Sequence, residues 1–583
     1  MPGSPSLSLW SSVFLAITLA QAQNITWTTG APTTQDWKTL NSTVAGRLYA
    51  GVPWAEPCFS LYNGNNTRPD AAQCSFVQQN YFNNHMVRTS VFAGYGPQNF
   101  EACMATSDQC MLNWMNPTDP AAFTPPQDCK QGSIPDYYID VRQASDVSTA
   151  FQFVAAKKIP LVIKNSGHDF QGRASGPGSL ALWVHNLKSI TNNANFIPEG
   201  CSYTAGKTAL TVGAGSQFQD IYQYAHDNKL IFVGGSDQSV TATGGWGQGG
   251  GHSSLSRLYG MGVDNALQYK VVTPDGVLRT ANACQNQDLF WALRGGGGST
   301  FGVVLEGTMQ VYPDQSFQIA NIIFPIGNLT ITRGILSIFT DNATLLATQK
   351  WGGYLTPTNG ELVLLNPTLS TKDAQNSVDA LSKYAISVGG KATLETVPSF
   401  LTWFQGWVQG TYGTQDPIGL PQALASRIVP QANHATPESR AQLVDALMDA
   451  VNSSFFQQIH FATPYGYNAT SASDTSVNPI WRSSLYQIIT VNTWQYNDNL
   501  ATKKATYANT TQSVATLRSI TPTSGAYANE ADIHEPDWQT SFWGSNYPKL
   551  LSIKNKYDPN HLLDCWHCVG WTSATDPRYK CYI

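Results

Sequence analysis

The chain is short of charge. Lys, Arg, Asp and Glu make up 12% of its 583 residues, against ~25% in ordinary soluble proteins. It has no basic excess either, with 33 Lys and Arg against 38 Asp and Glu. That excludes a nucleic-acid binder, which needs a positive face to displace counterions from phosphate. Beyond the first two dozen residues no apolar run is long enough to span a bilayer. Neither G-x-S-x-G nor H-E-x-x-H occurs, so hydrolase chemistry has no support. Cys565-Trp-His-Cys568 has no second cysteine pair at zinc-finger spacing, and no metal is expected. Aromatic residues, in contrast, are plentiful at 11%. Their apolar surface offsets the entropy of ordering and excludes disorder.

The beginning of the chain explains how so little charge can stay soluble. Residues 7–20 are apolar and run into Ala20-Gln21-Ala22, the small-residue pattern of a signal-peptidase site. No Lys or Arg precedes Leu7, an unusual feature, but residues 1–22 still read as a signal peptide and the protein as secreted. Sequons for N-linked glycans follow at Asn24, Asn41, Asn65, Asn328, Asn342, Asn452, Asn468 and Asn509. Glycans would supply the hydration that charge does not. Ten cysteines in an exported chain read as structural disulfides of undetermined connectivity.

Five of those cysteines crowd residues 23–133, a weakly periodic stretch that reads as a stapled arm. Strands and helices then alternate. Ile159-Pro-Leu-Val-Ile163 is a buried-strand run, and Ala209-Leu-Thr-Val212 and Leu230-Ile-Phe-Val233 are two more. Between the last two, Ser216 is read as the cap of a helix with Phe218, Ile221, Tyr222 and Ala225 on one face. Beyond residue 314, short β-like runs such as 319–324 and 361–365 mix with helices such as 438–451, giving a second α+β unit. Residues 543–558 read as a final amphipathic helix stopped by Pro559.

Two glycine clusters stand out, Gly244-Gly-Trp-Gly-Gln-Gly-Gly-Gly251 and Gly295-Gly-Gly-Gly298. Such runs let backbone N–H groups approach a phosphate or a flat ring with no Cβ in the way. Gly245, Gly247 and Gly250 satisfy G-x-G-x-x-G, but a Rossmann reading fails on context. Residues 236–243 are not a tight strand, and no acidic residue ends a second strand about 20 residues on. Directly after the 159–163 run comes Asn165-Ser-Gly-His-Asp-Phe-Gln-Gly172. The order is strand, Ser-Gly-His, helix, glycine loop, then Asp288-Leu-Phe-Trp-Ala-Leu-Arg-Gly-Gly-Gly-Gly-Ser-Thr-Phe-Gly302. It resembles the berberine-bridge-enzyme-like branch of the vanillyl-alcohol-oxidase/p-cresol-methylhydroxylase (PCMH) flavoproteins, nearest the fungal isoamyl-alcohol-oxidase-like members. Residues 542–560 resemble that family's C-terminal signature.

The resemblance implies an α+β fold. It would comprise a PCMH-type FAD-binding domain of two α+β subdomains over 134–313 and a substrate domain over 314–524 with an antiparallel sheet and flanking helices. A segment over 525–583 would return to the first domain. It also implies FAD as cofactor, bonded covalently through His168. Asn165, Ser166, Gly167 and Asp169 would hold the pyrophosphate and ring edge, with Gly244, Gly245 and Gly249 lining the cofactor channel and Val263, Asp264 and Asn265 nearby. Many relatives attach FAD a second time through a Cys six residues before the Gly-Gly pair. That position is Gln238 here, so a single tether is expected. The family's frequent His after Gly-Gly is Trp246, and His252, which ends the glycine run, is read as structural.

Gly525-Ala-Tyr-Ala-Asn-Glu530 stands at the place of the family's Tyr-x-Asn motif. Tyr527 and Glu530 are the candidates for activating substrate, and Asn529 for touching the cofactor. A residue of the 314–524 unit should complete the site, but nothing in the sequence singles one out. The expected protein is a secreted, monomeric FAD-dependent oxidase of an alcohol, sugar or secondary metabolite, reducing O₂ to H₂O₂. A flavin dehydrogenase or oxidative cyclase is one alternative, and a non-catalytic secreted glycoprotein is another.

Overall fold

A computed structural model describes residues 28–413, 415–468 and 474–583. The expected signal peptide and Asn24 lie outside the described residues.

Three principal sheets organise the chain. In the first, Tyr137–Asp140, Leu180–Trp183 and Leu161–Lys164 run parallel, with the helix Ala144–Lys157 crossing between the first and last of them. Leu48–Ala50, from the Cys-rich arm, adds an antiparallel edge strand. Leu161–Lys164 is the strand expected at 159–163, and it delivers its chain directly into the Ser-Gly-His loop. The second sheet is antiparallel, in the order Leu278–Asn282, Ala266–Val272, Val303–Pro313, Lys207–Gly213, Ile190–Phe196. Leu230–Phe232 pairs separately with Val303–Pro313.

Against the second sheet lies the helix Phe218–Asp227, burying Phe218, Ile221, Tyr222 and Ala225 as their spacing requires. Its N-cap is Gln217 and not Ser216, a correction to the expected start. The Ser216 hydroxyl is committed elsewhere, donating to the Ser189 carbonyl at 3.2 Å.

The third sheet has seven antiparallel strands, ordered Lys391–Val397, Phe317–Ile323, Glu361–Asn366, Gly352–Thr356, Phe456–Phe461, Ser484–Thr493, Gln422–Pro430. Helices Leu329–Thr348, Thr371–Ser387 and Pro437–Asn452 cover one face and share its core with Leu362, Leu364, Ile459 and Ile488. Alternate side chains of the same strands point the other way. His460 therefore projects from the face opposite Ile459 and Phe461, toward the cleft it shares with Gly244, Gly245 and Gly298.

The C-terminal segment lies against the second glycine cluster, and the helix expected over 543–558 runs over Tyr547–Tyr557. Gly544, with φ +54°, separates Trp538–Trp543 from Tyr547–Tyr557. Trp543 Nε1 donates to Gly295 O at 2.9 Å. The buried Lys554 ammonium donates to Thr300 O at 2.8 Å, Leu563 O at 2.9 Å and Asp558 Oδ2 at 2.6 Å. This segment thus clamps the second glycine cluster from behind.

All ten cysteines are paired: Cys58–Cys74, Cys110–Cys129, Cys201–Cys284, Cys565–Cys568 and Cys103–Cys581. The last ties the arm to the C-terminal end across 478 residues of sequence. No helix of the described residues is long and apolar enough to cross a membrane.

Candidate active site

The two glycine clusters meet. Gly295 N and Gly297 N both donate to Gln248 O at 3.0 Å, and a Cβ on Gly298 would come within 3.2 Å of Gly245 Cα. A side chain at Gly298 would push the two clusters apart by a few tenths of an ångström. Beside them opens a cleft of about 1510 Å³, counting its mouth, walled by the Ser-Gly-His loop, both glycine clusters, the 415–418 loop, His460 and the 527–530 turn.

Of the residues expected to hold a cofactor, Asn165, Ser166, Gly167, His168, Asp169, Gly244, Gly245 and Asn529 line this cleft. Gly167 takes φ +90°, which turns the chain so that His168 enters the cleft. Asn165 Nδ2 donates to Ala214 O at 2.6 Å, leaving Oδ1 without a partner. Asp169 accepts from Arg173 N at 2.6 Å and from its Nε at 2.8 Å. It so holds a guanidinium that reaches Ala528 O and Asn529 Oδ1. Gly249 stands just behind the wall, where a Cβ would strike Asn529 Nδ2 at 2.4 Å.

Three expected cofactor residues are not brought to the cleft. Val263 is buried among Met261, Ile428, Val477, Trp481 and Tyr527. Asp264 is bound by Arg482 through two 2.7 Å contacts, and Asn265 donates to Tyr259 O and Met261 O. All three are spent on holding the turn that follows the glycine loop. Trp246 packs edge-on to Phe218 with ring centroids 5.0 Å apart and fills the room left by Gly251 and Gly262. Gln238 does not line the cleft, and its carbonyl accepts from Gln219 N.

His168 Nε2 lies 2.7 Å from Ser239 Oγ, which in turn donates to Asp237 Oδ1 at 2.8 Å. His85 Nδ1 reaches Asp237 Oδ2 at 2.7 Å. Burial lowers the His168 pKa, outweighing the attraction of Asp237, so the ring is neutral at neutral pH. Burial pushes Asp237 up, but His168 and His85 prevail and hold it well below the usual carboxylate range.

On the opposite wall Glu530 faces two histidines. His252 Nε2 is 3.1 Å from Oε1, His460 Nδ1 is 3.6 Å from Oε2, and Gln487 Nε2 donates to Oε2. Burial pushes Glu530 up, but the neighbouring His252 and its hydrogen bond, with His460 and Gln487, bring its pKa down to about 2. Burial brings His460 down to about 4. Tyr527 OH accepts from Asn529 Nδ2 at 2.8 Å and from Gly251 N at 3.3 Å, and burial raises its pKa far enough to keep it a neutral phenol. Asn529 Nδ2 also donates to Gly245 O at 2.8 Å.

His252, read from the sequence as structural, is therefore part of the cleft. His460 and Asp416 escaped sequence reasoning. Asp416 lines the cleft with Oδ1 unpartnered, and burial together with Glu530 and Asp237 pushes it up to about 7. His460 carries a faint signal, a lone imidazole on the outward phase of an otherwise buried strand. Asp416 carries none. His252, His460 and Glu530 also form a group whose ligand atoms lie within 4.8 Å of one another.

A family model described as an FAD binding domain matches residues 135–282, and one described as berberine and berberine like matches residues 526–565. The FAD-linked oxidoreductase ffsJ of Aspergillus flavipes is 38% identical, over 93% of this chain and 92% of its own length. This chain belongs to the berberine-bridge-like FAD-linked oxidoreductases. A second relative of this oxidoreductase, OXR2 of Pyricularia oryzae, is 36% identical over 95% of both chains. Among solved structures, the VAO-type flavoprotein MtVAO615 of Myceliophthora thermophila C1 superposes with TM-score 0.81 at 27% identity. The match covers 92% of the oxidoreductase and 95% of that chain. Glucooligosaccharide oxidase of Acremonium strictum shares the fold alone, at TM-score 0.60 and 18% identity over 75% and 91% of the two chains.

The cleft suits FAD on its own chemistry. Glycine backbone forms one side, and Asn165 Oδ1, Gln248 Oε1, Trp246 Nε1 and Asp416 Oδ1 line it without protein partners. Unpartnered buried polar atoms are costly unless a ligand satisfies them.

Proposed function

We propose that this oxidoreductase is a secreted FAD-dependent oxidase. It would remove hydride from a C–H next to O or N of an alcohol, sugar or secondary metabolite and reduce O₂ to H₂O₂. The observation that carries the reading is the placement of an ionised, histidine-bound Glu530 across one cleft from His168 and the joined glycine clusters. FAD, when bound, supplies the hydride acceptor and passes the electrons to O₂.

The protein's own task is then to hold the cofactor and take one proton. His168 would bear a single covalent bond to FAD, with Asn165, Ser166, Gly244, Gly245 and Asn529 around it. Glu530 is too acidic to be an effective base alone. As a fixed anion it orients His252 through Nε2, leaving Nδ1 without any partner and free to accept the substrate proton. Tyr527 holds Gly251 and Asn529 in register and so shapes the wall. Trp407, backed by Tyr354 with ring centroids 4.9 Å apart, and Ile418 provide apolar surface for the substrate body.

Secretion is supported by the apolar N-terminal run, the sequons and the fully paired cysteines. The oxidase reading can be tested without knowing the substrate. Holoprotein is photoreduced under nitrogen and mixed with air-saturated buffer. Reoxidation within seconds and one H₂O₂ per flavin are expected. Reoxidation over many minutes would point to a dehydrogenase or cyclase instead.

A further inference from the structure

The histidine expected to carry the cofactor is gripped from behind by residues that belong to no motif. His168 Nε2 contacts Ser239 Oγ at 2.7 Å. Ser239 Oγ can donate in only one direction, and it donates to Asp237 Oδ1 at 2.8 Å. Its hydroxyl must therefore receive a proton from His168, which places the ring proton on Nε2. Asp237 is fixed in turn by Ser239 N at 2.7 Å and by His85 Nδ1 at 2.7 Å. His85 is anchored at its other nitrogen by Asn83 Oδ1, at 3.1 Å.

With the proton on Nε2, the lone pair of His168 lies on Nδ1. No described residue bonds to that nitrogen. The neighbour on that side is Gly96, where even a Cβ would come within 3.2 Å of Nδ1. The imidazole is thus oriented, held in one tautomer and left nucleophilic at one atom.

We propose that His85, Asp237 and Ser239 form a positioning relay that prepares His168 Nδ1 for its own covalent attachment to FAD. The proposal rests on the reading of His168 as the tether. In the step, Nδ1 forms a bond to the 8α-methyl carbon of the flavin, and that carbon gives up one C–H proton. The Nε2 proton, held by Ser239 Oγ until then, leaves as the ring becomes an N-substituted imidazole. Two electrons remain on the flavin, which takes up both protons and is reoxidised by dissolved O₂ to give H₂O₂. Through Ser239, the Asp237 carboxylate would offset the positive charge that builds on the buried ring as the bond forms.

The test is the covalent fraction of flavin, measured in full-length protein secreted from a eukaryotic host as yellow absorbance retained after acid precipitation. Total flavin, released plus retained, is measured beside it. Ser239→Ala and Asp237→Asn should keep noncovalent FAD while losing at least ten-fold in the rate of covalent attachment on incubation with added FAD in air. Ser239→Thr, which keeps the hydroxyl, should attach at close to the wild-type rate, a rescue that a merely structural serine would not show. Should Asp237→Asn fail to fold, the Ser239→Ala and Ser239→Thr pair decides alone.

Wild-type attachment rates in Ser239→Ala, with none in His168→Ala, would overturn the relay and leave the tether standing. Covalent flavin persisting in His168→Ala would overturn the tether itself, and the relay with it.

Discussion

His252 and Glu530 stand 278 residues apart in sequence, yet their side chains meet at 3.1 Å across the joint between the glycine loop and the returning C-terminal segment. Neither is a catalytic unit alone. The carboxylate is held at a pKa of about 2 by its histidine neighbours, and the imidazole has one nitrogen bound and one free. An orienting anion behind a base is a recurrent way to fix both tautomer and direction.

Glu530→Gln keeps the shape but removes the charge. Turnover of whatever alcohol or amine the wild type oxidises should fall ~10²–10⁴-fold, with flavin content unchanged. His252→Gln should fall by a similar factor. Steady-state peroxide assays decide it, and an unchanged kcat in Glu530→Gln would remove the pair from catalysis. Tyr527→Phe should cost far less, because the phenol contacts only Gly251, Asn529 and the Trp246 carbonyl.

Lys164 gives a pH-dependent stability prediction. Its ammonium is fully buried beneath the Ser-Gly-His loop, faces the Tyr95 ring at 4.8 Å and has no hydrogen-bond partner. Burial brings its pKa from 10.5 to about 7, with Glu101 opposing and Arg88 assisting. Between pH 7 and 10.5 the unfolded chain therefore binds more protons than the fold, and stability rises with pH across that window. Below pH 7 the buried charge exerts its full penalty, at most about 5 kcal/mol. Lys164→Met should melt above the wild type at pH 6, with the gap shrinking toward pH 10. A gap that widens with pH would contradict this.

The Cys103–Cys581 bridge joins the arm to the far end of the chain, next to the packed rings of Trp566, Tyr579 and Tyr582. Replacing both cysteines by Ala should cost ~2–5 kcal/mol, lowering Tm and speeding thermal inactivation. Replacing Cys201 and Cys284, which close a loop of 83 residues at the surface end of the second sheet, tests whether any lost bridge does the same.

How much of this was legible beforehand follows from locality. The strand Leu161–Lys164, the Ser-Gly-His turn and the glycine clusters lie in short sequence windows, and their residue types dictate backbone geometry directly. His460 and Asp416 reach the cleft only because a seven-stranded sheet and a loop are docked over it, information no local window holds. His85 arrives from the Cys-rich arm, where periodicity is weak. Val263, Asp264 and Asn265 do not line the cleft. They neighbour the glycine loop in sequence, but the turn at Gly260, with φ +79°, carries them behind it. The contact of His252 with Glu530 joins two segments 278 residues apart, which no local window holds.

The most direct test of the central claim begins with protein secreted from a eukaryotic host, then denatured in acid and digested. The account predicts a yellow peptide containing His168 and heavier than its sequence by one FAD. Complete release of the flavin into the acid supernatant, with the His168 peptide at its unmodified mass, would contradict it.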